Sequence, residues 1–248
     1  MPTIASKIAS MHRPSFCVNW VKHPESLEKI QAFRFGIFSK TFDTHFPHPS
    51  SGLDQDAYDA VCDHLVVTDA ATNIVGYYRV ITPDAANAIG RQYSESLFDL
   101  SPLQHLRSKL IEVDRSCIDP CHRGGTVILL LWKELFQFMT LRGYSHTVGC
   151  SSVSIADGGH NAARIYQWLQ HQQKISRVHV IQPHSRFELP PVSDVKPVSW
   201  PPILKGYLNL NAKVCGPPAY DRVFHTADFL TMLDIKDLRP GFLHRFKR

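Results

Sequence analysis

The apolar residues of this chain recur with two spacings, and each spacing predicts a different kind of secondary structure. In residues 26–38 they return every three or four positions, the period of a helix that packs on one side. Short apolar runs bounded by glycine, proline or asparagine predict strands instead. Helices are therefore expected over residues 26–38, 161–171 and 203–212, and from the turn at 123–126 to Arg142, where Gly143 suits a C-cap. Strands are expected over residues 64–68, 74–81, 110–118, 144–153 and 178–181, with 227–233 a last strand or a short helix.

The connecting segments are rich in residues that favour turns. Loops and turns are expected over 44–56, 57–60 and 72–73, a mixed segment over 82–101 and an extended one over 213–216. The proline-rich residues 183–202 precede a C-terminal part, 203–248, with too little apolar material for a core of its own. We therefore predict one α/β domain over residues 1–248, with an N-terminal extension at 1–25 and a mixed central sheet flanked by helices.

The segment 110–132 carries the strongest sign of chemistry. Its strand contains Glu112, Asp114 and Arg115, and ionised groups in a central strand are costly unless they are paired or functional. The strand breaks at Pro120, and residues 123–126 lead through two glycines into an apolar helix. Unpaired N–H groups at such a helix start hold a phosphate or a carbonyl oxygen. The alternative is a buried strand and helix with one internal ion pair.

Composition bounds the class of protein. The chain has 248 residues, of which 44% are hydrophobic and 20% charged, so we expect a folded domain with a sizeable core. The net charge of +5 favours an acidic protein partner, a phosphate-bearing substrate or an anionic membrane surface. The basic residues are too few and too dispersed to predict binding to nucleic acid.

The six cysteines do not have the spacing of a disulfide framework, and neither a secretory signal nor an apolar run long enough to cross a bilayer is evident. A cytoplasmic location is therefore expected. Cys117, Cys121 and His122 would suit zinc, but no second pair of ligands stands at a suitable spacing, so we predict no metal site.

A set of short motifs stands in a fixed order between residue 33 and the C-terminus. They include Phe33-Arg34-Phe35, Tyr58-Asp59, Gly76-Tyr77-Tyr78-Arg79, the stretch 112–117, the stretch 214–221 and Thr226-Ala227-Asp228-Phe229-Leu230. Together with the strand, glycine turn and helix, they resemble the ornithine lipid N-acyltransferases of the GNAT superfamily. The resemblance implies a GNAT-like fold and transfer of a 3-hydroxyacyl chain from acyl carrier protein to the α-amine of ornithine, giving lyso-ornithine lipid.

A more distant likeness points to the same chemistry. Asp56, Asp59, Arg79, Glu112 and Arg115 follow the order seen in acyl-homoserine lactone synthases, which also acylate an amine. The glycine turn is shorter than the usual GNAT arginine-x-x-glycine-x-glycine pattern. We therefore expect an acyl carrier protein thioester as co-substrate rather than CoA, with no bound cofactor.

The resemblance also implies roles for individual residues. Glu112 is the candidate base, or else an ion-pair partner of Arg115 or Arg79, and Tyr166 is the candidate acid, or else a core residue. Arg79 and Arg115 are candidates for a clamp on the acceptor carboxylate, and Asp59 and Asp63 for its side-chain ammonium or else for turn caps. Arg34 joins the substrate-binding set, and the acyl donor is expected at Cys117, Arg123, Gly124, Gly125 and Thr126.

Three other functions stay open. An acyltransferase with a different acceptor (glycine, another amino acid or a homoserine derivative) is the nearest, and a non-catalytic acyl-thioester-binding module is the second. His64 and Asp69 have the spacing of glycerolipid O-acyltransferases, but residues five apart on a strand face opposite sides. The basic and aromatic tail, 239–248, predicts weak peripheral contact with anionic membrane.

Overall fold

One mixed sheet of eight strands organises the protein. The computed structural model describes residues 15–21, 24–42, 49–192 and 196–238. The strands are β1 (Cys17–Val21), β2 (Asp63–Thr68), β3 (Ile74–Ile81), β4 (Leu110–Ile118), β5 (His146–Ser154), β6 (Lys213–Val214), β7 (Ala219–Asp221) and β8 (Thr226–Asp234). Their order is β1-β2-β3-β4-β5-β8-β6, with β7 also paired to β8. Only β4 and β5 are parallel among these pairs, so the α/β class and the mixed sheet are confirmed.

Five helices cover the two faces of the sheet. They are α1 (Pro24–Thr41), α2 (Pro83–Ile89), α3 (Thr126–Arg142), α4 (His160–His171) and α5 (Pro202–Asn209). Because successive side chains of a strand point to opposite faces of the sheet, each helix packs against every second residue of a strand. Tyr78 and Val80 of β3 pack with α3, whereas Tyr77 packs with α1 on the opposite face. The alternation along β3 thus builds two apolar layers from one strand.

The sheet opens between β4 and β5. These two strands pair over only three positions, from Leu110 opposite His146 to Glu112 opposite Val148. Beyond that point β5 stays paired with β8 for its whole length, so β4 separates from it. Gly149 marks the point of separation, because a Cβ there would collide with the carbonyl oxygen of Val113. The result is a V-shaped opening whose mouth lies towards Ile118.

A β-bulge shapes the β4 side of this opening. Arg79 of β3 lies opposite Asp114, and Tyr77 lies opposite Cys117, so β4 carries one residue more than β3 over this interval. Arg115 lies inside it with a left-handed φ of 49°. A bulge takes a residue out of the ladder and redirects its side chain. This is how a charged side chain from β4 reaches the mouth of the opening.

Most of the expected elements are found. The strands over 74–81 and 110–118 have the bounds that the sequence predicts, Gly143 caps α3 with a left-handed φ of 75°, and 227–233 is a strand. The strand expected over 178–181 is wrong, since that segment is irregular and Val178 is 83% exposed. Three elements were not predicted: β1, which lies in the N-terminal extension and pairs with β2, the short helix α2, and β7.

Candidate active site

Arg79 is the centre of a buried lattice of opposite charges. One edge of its guanidinium donates to Asp114, from Nε to Oδ1 at 2.8 Å and from Nη2 to Oδ2 at 2.5 Å. The other edge donates to both oxygens of Asp56, at 2.5 and 2.9 Å, and to Asp59 at 2.8 Å. The Arg79 side chain is fully buried. All of its donors are therefore occupied by three protein carboxylates.

Arg34 extends the lattice from α1. It donates to the two oxygens of Asp59 at 2.7 and 2.9 Å and to the hydroxyl of Tyr77 at 3.2 Å, and it pairs with Asp54. Burial alone would raise the pKa of Asp59, but the hydrogen bonds and charges of Arg34 and Arg79 outweigh burial and hold that pKa well below its usual range. Asp59 is therefore ionised throughout the physiological range of pH.

Arg115 is the arginine of the lattice that reaches the surface. Its guanidinium pairs with Asp54 at 3.0 Å and with Asp56 at 3.2 Å, and it donates to the hydroxyl of Tyr93 at 2.9 Å. It also lies over the rings of Tyr93 and Phe224, 4.8 and 5.0 Å from their centroids. One tenth of its side chain is exposed, whereas Arg34 and Arg79 show none. Arg115 is thus the one of the three that a small molecule can touch without displacing protein.

Glu112 stands apart from the lattice at the point where β4 and β5 separate. Its Oε1 accepts the backbone N–H of Ser94 at 2.9 Å, and its Oε2 has no hydrogen-bond partner among the described residues. The side chain is fully buried. Burial, followed by the negative charge of Asp114, raises the pKa of Glu112 to about 8. An ion pair with Arg115 or Arg79, the alternative role for Glu112, is not seen in the described part of the chain.

The glycine turn lies at the other end of β4. Arg123, Gly124 and Thr126 are exposed, and Gly125 has a left-handed φ of 99° at the start of α3. The N–H groups of the first helical turn have no carbonyl partner within the helix. They face the surface beside the Arg123 guanidinium, which is anchored by a 3.2 Å hydrogen bond to the Ile118 carbonyl. The turn can hold an anionic or carbonyl oxygen.

Tyr166 lies on α4, half-buried against β8. Its ring is 6.3 Å from that of Phe229, measured between centroids. Phe229 pairs with Ser151 of β5, so Tyr166 covers the β5 and β8 side of the sheet. The structure places it within the apolar layer under α4 and α5.

Two residues proposed for substrate contact lie elsewhere. Cys117 is buried in the apolar layer under α1, beside Tyr77, and burial raises the pKa of its thiol. Asp63 precedes His64, and alternation places it on the sheet face opposite to Asp59 and Arg79. It lines a surface groove of about 380 Å³ together with residues that include Asp84, Phe138, Arg142 and Tyr144. Neither side chain meets the charged lattice.

The structure adds residues that the sequence reading missed. Asp54 and Tyr93 complete the lattice around Arg34 and Arg115. Asp221 and Asp228 are buried carboxylates on β7 and β8. Burial, then the charge of Asp221, raises the pKa of Asp228 to about 7. The signal for Asp228 was present, since it is an acidic residue in the interior of a mainly apolar strand.

The histidine and aspartate that share the O-acyltransferase spacing do not act together. The His64 ring is buried, with Nδ1 2.7 Å from the Tyr77 hydroxyl and Nε2 2.9 Å from the Asp59 carbonyl. Asp69 is a cap of the hairpin turn, accepting hydrogen bonds from Ala71 and Asn73. Within the described residues no group of three or more His, Cys, Asp or Glu side chains is placed to hold a metal ion.

Comparison with known proteins shows which enzymes the chain is similar to. A sequence profile of the acetyltransferase (GNAT) domain matches residues 33–133, which contain the lattice, Glu112 and the glycine turn. The L-ornithine N(alpha)-acyltransferase of Rhizobium meliloti (strain 1021) is 28% identical over 89% of this chain and 80% of its own length. The enzyme of the same name from Rhodobacter capsulatus is 27% identical over 89% of this chain and 90% of its own.

The chain matches the acetyltransferase (GNAT) domain over part of its length and is similar along most of its length to the L-ornithine N(alpha)-acyltransferases, which supports an acyltransferase. Solved structures agree on the fold of this acyltransferase. FeeM, an N-acyl amino acid synthase from uncultured soil microbes, superposes with a TM-score of 0.53 at 8% identity, over 92% of this chain and 93% of its own. BjaI, a CoA-dependent acyl-homoserine lactone synthase, gives 0.51 at 13% identity, over 94% and 88%. The expectation of a GNAT-like fold is confirmed.

Proposed function

We propose that this acyltransferase moves an acyl chain, 3-hydroxylated as in lyso-ornithine lipid, from acyl carrier protein to the α-amine of ornithine. The observation that carries the proposal is Glu112. It is a fully buried carboxyl group at the opening of the sheet, its Oε2 has no hydrogen-bond partner among the described residues, and its pKa is raised to about 8. A base with that pKa is matched to an amine acceptor near neutral pH.

The reaction needs one base, one oxyanion site and one acid. Glu112 takes a proton from the α-ammonium group, and the freed amine forms a C–N bond with the thioester carbonyl. Backbone N–H groups near the Arg115 bulge stabilise the oxyanion. When the C–S bond breaks, its electron pair leaves on sulfur. The thiolate takes the second proton of the attacking nitrogen, through water or through Tyr166, whose half-buried ring packs on the opposite face of the sheet. With Tyr166 as the acid, its hydroxyl gives a proton to sulfur and regains one from nitrogen.

The residues of the lattice have different roles in substrate binding. Arg115 is the partially exposed guanidinium, so we assign it the acceptor carboxylate. Arg34, Arg79 and Asp59 are enclosed by one another and act as positioning residues that hold Arg115 and the bulge in place. This revises the expectation of an Arg79 and Arg115 clamp, because every donor of Arg79 already binds protein.

An acyl carrier protein donor is supported by the glycine turn and by charge. Gly124, Gly125 and Thr126 present N–H groups suited to the pantetheine arm, and Arg123 is exposed beside them. The net charge of +5 complements an acidic carrier. Free acyl-CoA is the alternative donor, and a non-catalytic acyl-binding module is the alternative function.

Membrane contact is the remaining part of the proposal. No helix within the described ranges is long and apolar enough to cross a bilayer. The tail 239–248 lies outside the described residues, and its composition of four Arg and Lys residues among Phe and Leu supports weak binding to an anionic surface. Such binding would place the single-chain product next to a bilayer.

The direct experiment is an assay of the purified protein with 3-hydroxyacyl carrier protein and ornithine, with mass spectrometry of the product. We expect N-acyl ornithine and free carrier protein in equal amounts. The Glu112→Gln variant should lose about 100-fold or more of the turnover, the range of a missing general base. Glu188→Gln, at an exposed position, is the matched control and should keep wild-type turnover. Binding of acyl carrier protein without acylation of any amino acid would contradict an enzymatic function.

A further inference from the structure

Buried carboxylates outnumber buried cations on the active face of the sheet. The three lattice arginines face four aspartates, 54, 56, 59 and 114. Glu112, Asp221 and Asp228 come in addition, each less than 5% exposed. Carboxylates enclosed without a cation are costly. A positively charged ligand would offset that cost, whereas a neutral or acidic one would add to it.

Asp228 and Asp221 form the unpaired part of this excess. Asp228 accepts the hydroxyl of Thr226 at 2.6 Å, and Asp221 accepts the N–H groups of Val223 and Phe224 at 2.7 and 3.0 Å. Among the described residues neither carboxylate pairs with a lysine, arginine or histidine. The charge of Asp221 raises the pKa of Asp228, and the cation that acts against this rise is Arg115, which does not form a salt bridge with either carboxylate among the described residues.

The register of the sheet places Asp228 on the same face as Glu112. Glu112 lies opposite Val148, and Asp228 lies opposite Ser152 on the other side of β5. Val148 and Ser152 are four residues apart, an even number, so both partners face one side. Four residues of strand span roughly 14 Å. The two side chains and the hydrogen bonds that they accept cover part of this distance, so a ligand that reaches both carboxylates needs a nitrogen at each end of an extended chain.

Cys150 lies between the two carboxylates on this face of the sheet. It stands midway along β5 between Val148 and Ser152, and its side chain is partly accessible. Burial raises the pKa of its thiol, and the charges of Asp228 and Glu112 raise that pKa further. Glu112 Oε2 has no hydrogen-bond partner among the described residues. Carboxylates thus lie near both ends of the β5 stretch 148–152.

We propose that Asp228, supported by Asp221, binds the second ammonium group of a dibasic acceptor whose α-amine reaches Glu112. This inference rests on the proposed function and makes it more specific. Asp228 is then the residue that selects ornithine over amino acids with an apolar side chain. Glycine and other acceptors without a second amine leave the carboxylates of β7 and β8 without a cation, which accounts for discrimination by charge.

The experiment compares ornithine with norvaline, which has the same carbon chain and no side-chain amine. Wild-type kcat/KM should favour ornithine by about 30-fold or more, the range for a buried charged pair that loses one partner. In Asp228→Asn this ratio should fall to within about threefold, chiefly through a higher KM for ornithine. Asp234→Asn changes a carboxylate at the far end of the same strand, next to His146, and should keep the wild-type ratio.

A measurement on the wild-type protein decides the matter if Asp228→Asn does not fold. With ¹³C-labelled aspartate carboxyl groups, the aspartate that titrates near pH 7 should move to lower pH by about one unit or more when ornithine binds. Norvaline should leave it in place. Three results would overturn the proposal: equal use of ornithine and norvaline by the wild type, an unchanged ratio of kcat/KM in a folded Asp228→Asn, or no change in the titration of this carboxyl group. Each of them would leave the acylation of ornithine itself intact. Failure to acylate any amino acid would instead refute the proposed function.

Discussion

Glu112 and Asp114 lie two residues apart on the same face of β4, and their carboxyl groups have opposite surroundings. Asp114 receives two hydrogen bonds from Arg79, at 2.8 and 2.5 Å, whereas Glu112 receives one from the backbone N–H of Ser94 at 2.9 Å. Burial and the charge of Asp114 raise the pKa of Glu112 to about 8. One strand therefore supplies a carboxyl group that pairs with Arg79 and holds the lattice, and a second carboxyl group that can exchange a proton. This difference underlies the first prediction.

The rate of acyl transfer should rise with pH through about 8, because Glu112 is a base only after it loses its proton. The Glu112→Gln variant should show neither that rise nor wild-type turnover. The test is the steady-state rate between pH 6 and 10. The rate is corrected for ionisation of the acceptor amine, with the chemical acylation of ornithine over the same pH range as the reference. A corrected rate that does not depend on pH would remove Glu112 from the proton transfer.

Stability should change with pH in the opposite direction. The pKa of Glu112 is higher in the folded protein than the ordinary value of 4.5, so the folded state binds more protons between pH 4.5 and 8. The stabilisation from this group is complete below that interval and is lost as pH rises through it, to the extent of a few kcal/mol. Asp228 acts with the same sign up to about pH 7. Urea unfolding at several pH values should therefore show a shallower loss in Glu112→Gln than in wild type.

The lattice leads to a prediction that differs from the one the sequence suggested. The sequence assigned Arg79 to a clamp on the acceptor carboxylate, a role whose loss would lower turnover without unfolding the chain. In the structure, Arg79→Ala would leave the buried Asp59 and Asp114 and the partly buried Asp56 without that cation, which should destabilise the protein by about 3–5 kcal/mol. Thermal or urea unfolding of the variant measures this loss.

Arg107→Ala is the matched control for Arg79→Ala. Arg107 pairs with Glu95 at 3.0 Å, and both side chains are partly exposed, so its loss should cost less than about 1 kcal/mol. If Arg79→Ala were as stable as Arg107→Ala and only its turnover fell, Arg79 would act on substrate and the sequence-based view of a clamp would be restored.

The two strands at the centre of the sheet were predictable because their signals are local. Residues 74–81 and 110–118 are rich in apolar and β-branched residues and are followed by Thr-Pro and Asp-Pro, and the structure has the same bounds. The segment 178–181 also alternates, but its valines face solvent, and only a hydrogen bond from Ile181 to the Cys215 carbonyl ties it to the sheet. Alternation predicts a strand only where one face is covered, and burial is a tertiary property.

The sequence likewise predicted some residues of the candidate site and missed their partners. Glu112 and Arg115 were conspicuous because charge inside an apolar strand is visible in the sequence. The partner of each charge was not visible, since Arg34 and Asp59 are 25 residues apart and meet only in the fold. Asp63 was grouped with Asp59 by proximity along the chain, although strand alternation directs it to the other face of the sheet. Residue type alone did not distinguish structural charges from reactive ones. That distinction depends on which residue each charge pairs with and on which face of the sheet it lies.

Recognition of the acyl donor should depend on salt. An acidic carrier protein that meets a basic surface loses attraction as ionic strength rises, so the KM for acyl carrier protein should increase with salt. Arg123→Ala should raise that KM and weaken its dependence on salt, because Arg123 is exposed beside the glycine turn. Lys109→Ala is the control, since Lys109 is exposed at the opposite end of β4. Equal use of acyl-CoA with no salt effect on the carrier reaction would argue for a CoA donor.

Contact with membrane should depend on the C-terminal tail. Residues 239–248 combine four Arg and Lys residues with Phe242, Leu243 and Phe246, and each basic residue near an anionic surface contributes about 1 kcal/mol. Aromatic rings favour the boundary between headgroups and acyl chains. Full-length protein should therefore sediment with vesicles that contain anionic lipid at low salt and stay in solution with neutral ones. Deleting residues 239–248 should abolish sedimentation and leave turnover with dissolved substrates unchanged. If the full-length protein ignored anionic vesicles at low salt, or if the deletion variant still bound them, the tail would have no part in membrane contact.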